Sequence, residues 1–323
     1  MKAWVMRAPG PPDSLELTDL PDPEPREGWV HIETKAFGLN RAEQVTREGH
    51  SGDAVPLPRV LGIECVGSVL DAGGTDLEVG QTVAAAVGGM GRTFDGGYAT
   101  QTLIPRSNVH PLQTDLDWPT LGAIPEAYLT AWGALIESCA GEAGDTVLIR
   151  GGSSSVGLAA ASIADAKGMR SISTTRKEEK RAAMVSAGAS EVIIDGGEIA
   201  DQVRELTPDG VDRVVELVGT VDTITESLGL LRPRGVLCLV GFLGGEWDYG
   251  LPWPPPTVRI SFYTTEATRS ETHTPVLQEI VDGIPDCTYR ANIHEVFDFE
   301  DLPRAHEVMA SNAAAGKLVV TTP

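Results

Sequence analysis

Residues 144–195 read GDTVLIRGGSSSVGLAAASIADAKGMRSISTTRKEEKRAAMVSAGASEVIID, and this stretch decides the fold. Thr146–Ile149 is short, apolar and β-branched, and it stops at Gly151-Gly152-Ser153-Ser154-Ser155. Small apolar residues then run from Val156 to Lys167 in a spacing that suits a closely packed helix, which Gly168 ends. Ser171–Thr175 reads as a second strand and Lys177–Ala187, with Gly188 behind it, as a second helix; a third strand closes the run at Asp195. Strand, glycine-rich turn and helix in that order suit the pyrophosphate of a dinucleotide. Small residues let the backbone approach, while free N–H groups and the positive helix end face the anion.

The turn departs from G-x-G-x-x-G in its middle, because Gly152-x-Ser154-x-x-Gly157 carries serine there. Serine is small, and its hydroxyl offers a further donor toward phosphate. Gly152, Ser153, Ser154, Ser155, Val156 and Gly157 are therefore the candidate cradle. The end of the second strand selects the cofactor. An NAD site places Asp or Glu there to hold the ribose 2′-hydroxyl. This chain has Thr174-Thr175-Arg176 and then Lys180 and Arg181. Arg176 and Lys180 are four apart and share a face at a helix start. Two hydroxyls and two cations suit a 2′-phosphate, which favours NADPH over NADH. The competing reading is a solvated helix start whose cations offset Glu178 and Glu179.

With 323 residues the chain is long enough for two domains of ordinary size. Its 46 acids against 25 bases give a net charge of −21, which repels nucleic-acid backbones and anionic membranes. Any anionic ligand needs a local basic site. Cys65, Cys139, Cys238 and Cys287 are far apart, as reduced thiols in a cytoplasmic protein are, and form no disulfide framework. No apolar run approaches the length of a membrane span, and MKAWVMRAPGPP has no signal-peptide core.

Residues 1–120 read as β-rich, with strands at Lys2–Arg7, Leu15–Leu17, Trp29–Ala36, Ile63–Leu70, Thr82–Val87 and Ala99–Ile104 between glycine- and proline-dense turns. Asn40 opens a short helical stretch, Arg41–Glu48. From Leu121 to about Tyr263 helix and strand alternate, with strands at Asp212–Leu217, Gly235–Val240 and Val258–Tyr263 and a helix at Val221–Gly229. That alternation predicts an α/β fold with a doubly wound parallel sheet. Residues 268–323 hold helices at Pro275–Val281 and Leu302–Ser311 and a last strand at Lys317–Thr321.

Taken together, FGLNRAE (37–43), VLGIECVGSV (60–69), FDGGYAT (94–100), LTAWGAL (129–135), the turn segment (144–160), VDRVVELVG (211–219), GVLCLVGFLGG (235–245) and AGKLVV (315–320) resemble a known family. It is the zinc-free, zeta-crystallin-like quinone oxidoreductase branch of the medium-chain dehydrogenase/reductase superfamily. The resemblance implies a Gro-ES-like β-rich catalytic domain (1–120) completed by a C-terminal segment (268–323). Between them it implies an inserted Rossmann domain (121–267) that binds NADPH. It also implies a homodimer and a small-molecule quinone or enone substrate.

Zinc-dependent members use Cys, a His–Glu pair and a further Cys or Asp to hold a catalytic ion. The corresponding positions here are Asn40, Ile63-Glu64 and Glu126, a set with no thiolate or imidazole, so the sequence implies no metal. Without a Lewis acid, hydride passes most readily to an acceptor activated by its own conjugation, a quinone or an α,β-unsaturated carbonyl. By resemblance Asn40 hydrogen-bonds the nicotinamide-ribose end of the cofactor; it also reads as a helix N-cap, and both roles are compatible. Thr130 is placed near the nicotinamide by the same resemblance. Val218, Gly219, Gly241, Phe242 and Leu243 lie at strand ends where a doubly wound sheet binds its ligand, though Phe242 and Leu243 also read as core. Lys317 reads either as a cofactor contact or as a solvated lysine. Tyr128 is the named candidate proton donor, with Arg41, Glu126 and Glu64 beside it; Glu64 also reads as a brace for its glycine-rich turn. Two other functions stay open, an enoyl-thioester reductase and a non-catalytic NADPH-binding structural or interaction protein.

Overall fold

Strand periodicity and glycine placement build the first of two units around one long strand. The elements in chain order are β1 (Lys2–Met6), β2 (Leu15–Asp19), β3 (Trp29–Gly38), α1 (Arg41–Arg47), β4 (Arg59–Val60), β5 (Glu64–Asp71), β6 (Thr82–Ala86), β7 (Gln101–Pro105) and β8 (Val109–Pro111). They are followed by α2 (Trp118–Gly122) and α3 (Pro125–Trp132). In β3 every second residue from Val30 to Ala36 is buried, so one face of the strand looks into the core. The structure, a computed structural model, describes residues 1–241 and 254–323. Its contacts separate a unit of Met1–Leu129, Thr265–Ile284 and Ile293–Pro323 from a unit of Thr130–Thr264 and Pro285–Asn292.

The second unit continues with β9 (Thr146–Arg150), α4 (Ser155–Ala166), β10 (Arg170–Thr175), α5 (Arg181–Ser186), β11 (Glu191–Ile194), α6 (Ala200–Leu206), β12 (Val211–Glu216), α7 (Val221–Gly229), β13 (Leu231–Leu239) and β14 (Arg259–Phe262). The chain then returns to the first unit with α8 (Ser270–Asp282), β15 (Ile293–Asp298), α9 (Leu302–Ala310) and β16 (Lys317–Thr321).

The second unit is a parallel sheet of order β11-β10-β9-β12-β13-β14 among the described residues, the doubly wound arrangement expected from the alternation. The strand order reverses between β9 and β12. The turns leaving these two strands therefore flank the crevice where such sheets take ligands. Leu148, Ile172, Val214 and Leu237 on the strands pack with Ile224 and Leu228 of α7 into one core.

In the first unit a sheet runs β15-β16-β3-β5-β6-β8, with β7 also on β3, and β2-β1-β4 form a second small sheet. Phe37, Tyr98, Ile104, Phe299 and Val320 fill the core. β3 holds β5 on one side and β7 and β16 on the other, so its end at Gly38 leads straight into Asn40 and α1.

Several elements differ from their sequence reading, which names none at β4, β8 or α6. Lys177–Ala187 is not one helix: a single 3-10 turn, Glu178–Lys180, precedes the shorter α5. α8 begins at Ser270, five residues before the expected start, because it carries Pro275 inside rather than at its first turn. β15 was not anticipated, since only Phe297 of IHEVFD is buried and it pairs in parallel with β16 alone.

Two glycines give opposite expectations. At Gly67 a Cβ would sit 1.9 Å from the Glu33 carbonyl oxygen on β3, so Gly67→Ala should destabilise by about 1–3 kcal/mol or more. Gly229, exposed at the end of α7 with nothing within 4 Å of a Cβ, should instead tolerate alanine and gain about 0.4–1 kcal/mol. Urea unfolding of the two variants checks both signs.

Candidate active site

In the second unit, β9 ends in Arg150 and the chain turns through Gly151 at φ 77°. The Gly151 N–H donates to Thr174 Oγ1 at 3.3 Å and the Gly152 N–H to the Thr174 carbonyl at 2.9 Å, which clamps the turn on β10. Ser154 is the N-cap of α4 at φ −75°, an extended conformation that needs no glycine, so the middle of the fingerprint accepts serine. Gly157 is not replaceable in the same way, because a Cβ there would meet the Gly151 carbonyl oxygen at 2.6 Å. The backbone N–H groups of Ser153, Ser155 and Val156 have no acceptor among the described residues. Three free donors at a helix N-terminus are a fit for pyrophosphate.

The hydroxyls are less available than the sequence suggests. Ser154 Oγ accepts the Gly157 N–H at 3.1 Å and donates to the Gly151 carbonyl, so it is spent on the turn. Thr174 is buried, with Oγ1 on the Gly151 N–H, and Thr175 donates to Ser153 Oγ at 3.2 Å and accepts from the Lys177 N–H. Arg176 precedes the 3-10 turn and Lys180 ends it, so the two do not share one helix face; Lys180 is buried and Arg176 exposed. Of the residues assigned to the 2′-phosphate, Arg176 is the one that faces solvent. Arg181 instead forks onto Glu178 at 2.6 and 2.9 Å.

Across the switch point, Glu216 is fully buried and accepts the N–H groups of Val218 at 2.9 Å and Gly219 at 3.0 Å. It fixes the loop after β12 and leaves those two donors engaged. Gly241 lies against Leu217, where a Cβ would meet its carbonyl oxygen at 2.7 Å. Phe242 and Leu243 lie outside the described residues. Arg150, also buried, pairs with Asp195 at 2.9 Å and Glu226 at 2.6 Å, and Glu226 in turn accepts from the N–H groups of Ile199 and Ala200. Thr130 is buried on α3.

In the first unit, Asn40, Glu64 and Glu126, which the resemblance compares with one zinc site, are brought together by a residue that comparison did not include, Lys317. Lys317, 1% exposed on β16, lies with its Nζ 2.6 Å from Glu64 Oε1 and 3.4 Å from Glu126 Oε2, and donates to Asn40 Oδ1 at 2.5 Å. The Asn40 amide donates to Glu64 Oε1 at 2.9 Å and Glu43 Oε1 at 3.3 Å. Glu43 Oε2 accepts the Asn40 N–H at 2.8 Å, so Asn40 does act at the start of α1, and Glu43 Oε1 takes the Ile63 N–H at 2.9 Å. Glu64 Oε2 accepts the Glu126 N–H at 2.8 Å in the first turn of α3. Both amide hydrogens of Asn40 are thus committed, and its remaining polar capacity is an acceptor lone pair on Oδ1. Gly38 is what admits the pair, since a Cβ there would meet Lys317 Cε at 2.2 Å and Glu64 Oε1 at 2.6 Å. Lys317 is therefore not a solvated lysine, and Glu64 is more than a brace for its own turn. Tyr128 is buried in the core of α3.

Burial acts against the Lys317 ammonium, but Glu64 and then Glu126 outweigh it and hold the ammonium above its ordinary range. Burial pushes the Glu43 carboxyl up to about 7, against the pull of the Ile63 N–H and of Lys317. Sequence reading missed Glu43 entirely. Its one signal was position, three residues after Asn40, where a capping carboxylate belongs.

Residues 26–114 match the alcohol dehydrogenase GroES-like domain, and residues 155–280 match the zinc-binding dehydrogenase model. A quinone oxidoreductase of Lama guanicoe is 30% identical over 328 residues, spanning 99% of this chain and 97% of that one. The chain belongs to the medium-chain dehydrogenase/reductase superfamily, in its quinone oxidoreductase branch. A mycobacterial protein solved in complex with NADPH superposes with a TM-score of 0.87 at 28% identity over 99% of both chains. An NAD-dependent alcohol dehydrogenase superposes with a TM-score of 0.89 at 26% identity over the whole of both. Within this quinone oxidoreductase fold, three of the positions compared above with a zinc site, Asn40, Glu64 and Glu126, converge on the Lys317 ammonium. Among the described residues no three His, Cys, Asp or Glu side chains are grouped as a metal ligand set. No helix among them is long and apolar enough to cross a membrane.

Lys317→Met leaves Glu64 fully buried without its cation and should cost about 3–5 kcal/mol in urea unfolding at neutral pH. Glu43 gives a pH signature of definite sign. Its folded value of about 7 lies above the 4.5 of a free carboxyl, so the native state holds the extra proton between them and stability falls as pH rises through that window. Glu43→Gln should flatten this slope in unfolding curves taken across the same range.

Proposed function

We propose that the chain is an NADPH-dependent, zinc-independent reductase that delivers hydride to a quinone or an α,β-unsaturated carbonyl compound. The observation that carries this reading is the end of β10, where Thr174-Thr175-Arg176 stands in place of a ribose-binding acid, beside a turn with three unengaged N–H groups. The Ser153, Ser155 and Val156 N–H groups take the pyrophosphate at the start of α4. Arg176 takes the 2′-phosphate, and Asn40 accepts a hydroxyl of the nicotinamide ribose through Oδ1. NADPH, when bound, supplies the hydride.

The chain's own part is orientation. Lys317, Glu64 and Glu43 hold the Asn40 amide in one rotamer through the distances given above, so its free acceptor lone pair needs no reorganisation to be used. A cluster already holding three carboxylates and one ammonium does not polarise a carbonyl as a divalent ion does. The acceptor must therefore bring its own conjugation.

Titration by nicotinamide fluorescence tests the cofactor assignment. Arg176→Ala should raise the Kd for NADPH by a factor equivalent to about 1.5–3 kcal/mol and leave NADH nearly unchanged. An equal loss for both cofactors removes the 2′-phosphate from this site. Turnover of NADPH with 1,2-naphthoquinone or an enone separates a reductase from a binding module, and preference for a crotonyl thioester marks the enoyl-thioester alternative.

A further inference from the structure

Arg47 Nε, Tyr98 Oη and both ring nitrogens of His306 are buried in the first unit without a hydrogen-bond partner. The three side chains come from α1, the turn before β7, and α9, yet they form one group. The Tyr98 and His306 rings meet edge-on at 5.7 Å, and the Arg47 guanidinium acts electrostatically on both. Leaving such atoms dry is unfavourable, because each loses its bonds to water and gains none in the fold. Where the interior leaves room, buried polar atoms of this kind are ordinarily bonded by water.

The group has an outer and an inner end. Outside, Arg47 and Ala310, the latter four residues after His306 on α9, line a surface pocket of about 400 Å³ with Pro9, Pro11, Pro12 and Glu48. Arg47 donates there to the Gly10 carbonyl and pairs with Glu48 at 3.2 Å. Inside, Glu43 lies one helical turn before Arg47 on the buried face of α1, and its charge acts on Tyr98. Glu43 is in turn bonded to Asn40 and, through Asn40, to the Glu64–Lys317 pair.

We propose that Arg47, Tyr98 and His306 hold a line of ordered water that carries protons between solvent at this pocket and the Glu43 carboxyl. The need for such a route rests on the function proposed above. Reducing a quinone with NADPH moves one hydride, whose electron pair turns a carbonyl oxygen into an oxyanion. One further proton then completes the hydroquinone, and the cofactor leaves oxidised. Glu43 is the inner proton store, refilled from the pocket.

The neighbouring groups suit the task. Burial, and then Arg47, push the His306 imidazole down to about 3, while burial and the Glu43 and Glu64 charges push the Tyr98 phenol well above its usual value. Both therefore stay neutral near pH 7 and pass a proton by exchanging donor and acceptor roles. The charged groups facing Glu43 are Lys317 and Glu64.

The test follows the protonated Glu43 carboxyl by infrared absorption after a pH jump across neutrality, its band assigned by loss in Glu43→Gln. Tyr98→Phe removes an oxygen that bonds nothing in the fold, and His306→Phe removes both ring nitrogens. Each should slow Glu43 protonation by about tenfold or more without changing the Kd for NADPH. Equal rates in wild type and both variants overturn the route, as does a high-resolution crystal structure in which the group is dry. This readout needs no quinone turnover, so it remains decisive even if the reductase assignment fails.

Discussion

One ammonium, that of Lys317, holds together four segments of chain that are far apart in sequence. It is buried with Glu64 and Glu126 as counter-charges and Asn40 as a neutral acceptor. Through these partners the last strand is tied to the end of β3, to the start of β5 and to the first turn of α3. A buried charge of this kind is stable only as a complete set, because each member removed leaves another uncompensated in a low-dielectric interior. The arrangement therefore fixes local geometry more than it adds to stability. What it fixes is the Asn40 amide, with one acceptor lone pair left over.

The second unit solves a different problem with backbone rather than charge. Its turn after β9 offers free N–H groups because Ser154 caps α4 and Thr174 takes up the neighbouring donors. The buried Arg150 and Glu216 hold the strand ends around this turn, Arg150 through Asp195 and Glu226, and Glu216 through the loop at Val218 and Gly219. The charged members of the network are engaged inside the fold, while the main-chain donors at the start of α4 stay unengaged and Arg176 stays exposed.

Much of this was legible in the sequence. Alternating apolar strands and small-residue helices dictate a parallel sheet, and the turn residues locate its ligand end, because period and glycine placement are local properties. The charge clusters were not legible. Lys317 reads either as a cofactor contact or as a solvated lysine, and Glu64 as a candidate donor or a turn brace, until β3, β5 and β16 are laid side by side; the resemblance compares positions 40, 64 and 126 with one zinc site, but nothing in the spacing brings 317 to them. The same limit applies to the residues expected at a 2′-phosphate. Thr174 and Lys180 carry the right chemistry by type, but strand pairing and the 3-10 turn bury both and leave Arg176 outward. β15 escaped notice because its sequence is mostly polar and its place depends on β16.

The central claim is that an ammonium, not a metal ion, organises this site and that hydride transfer proceeds on that basis. Stopped-flow oxidation of NADPH by 1,2-naphthoquinone, with protein stripped by chelator and assayed for residual metal, tests it most directly. The account predicts a rate equal to that of untreated protein with no stoichiometric metal present. Loss of the rate on stripping, restored by added zinc, would contradict it.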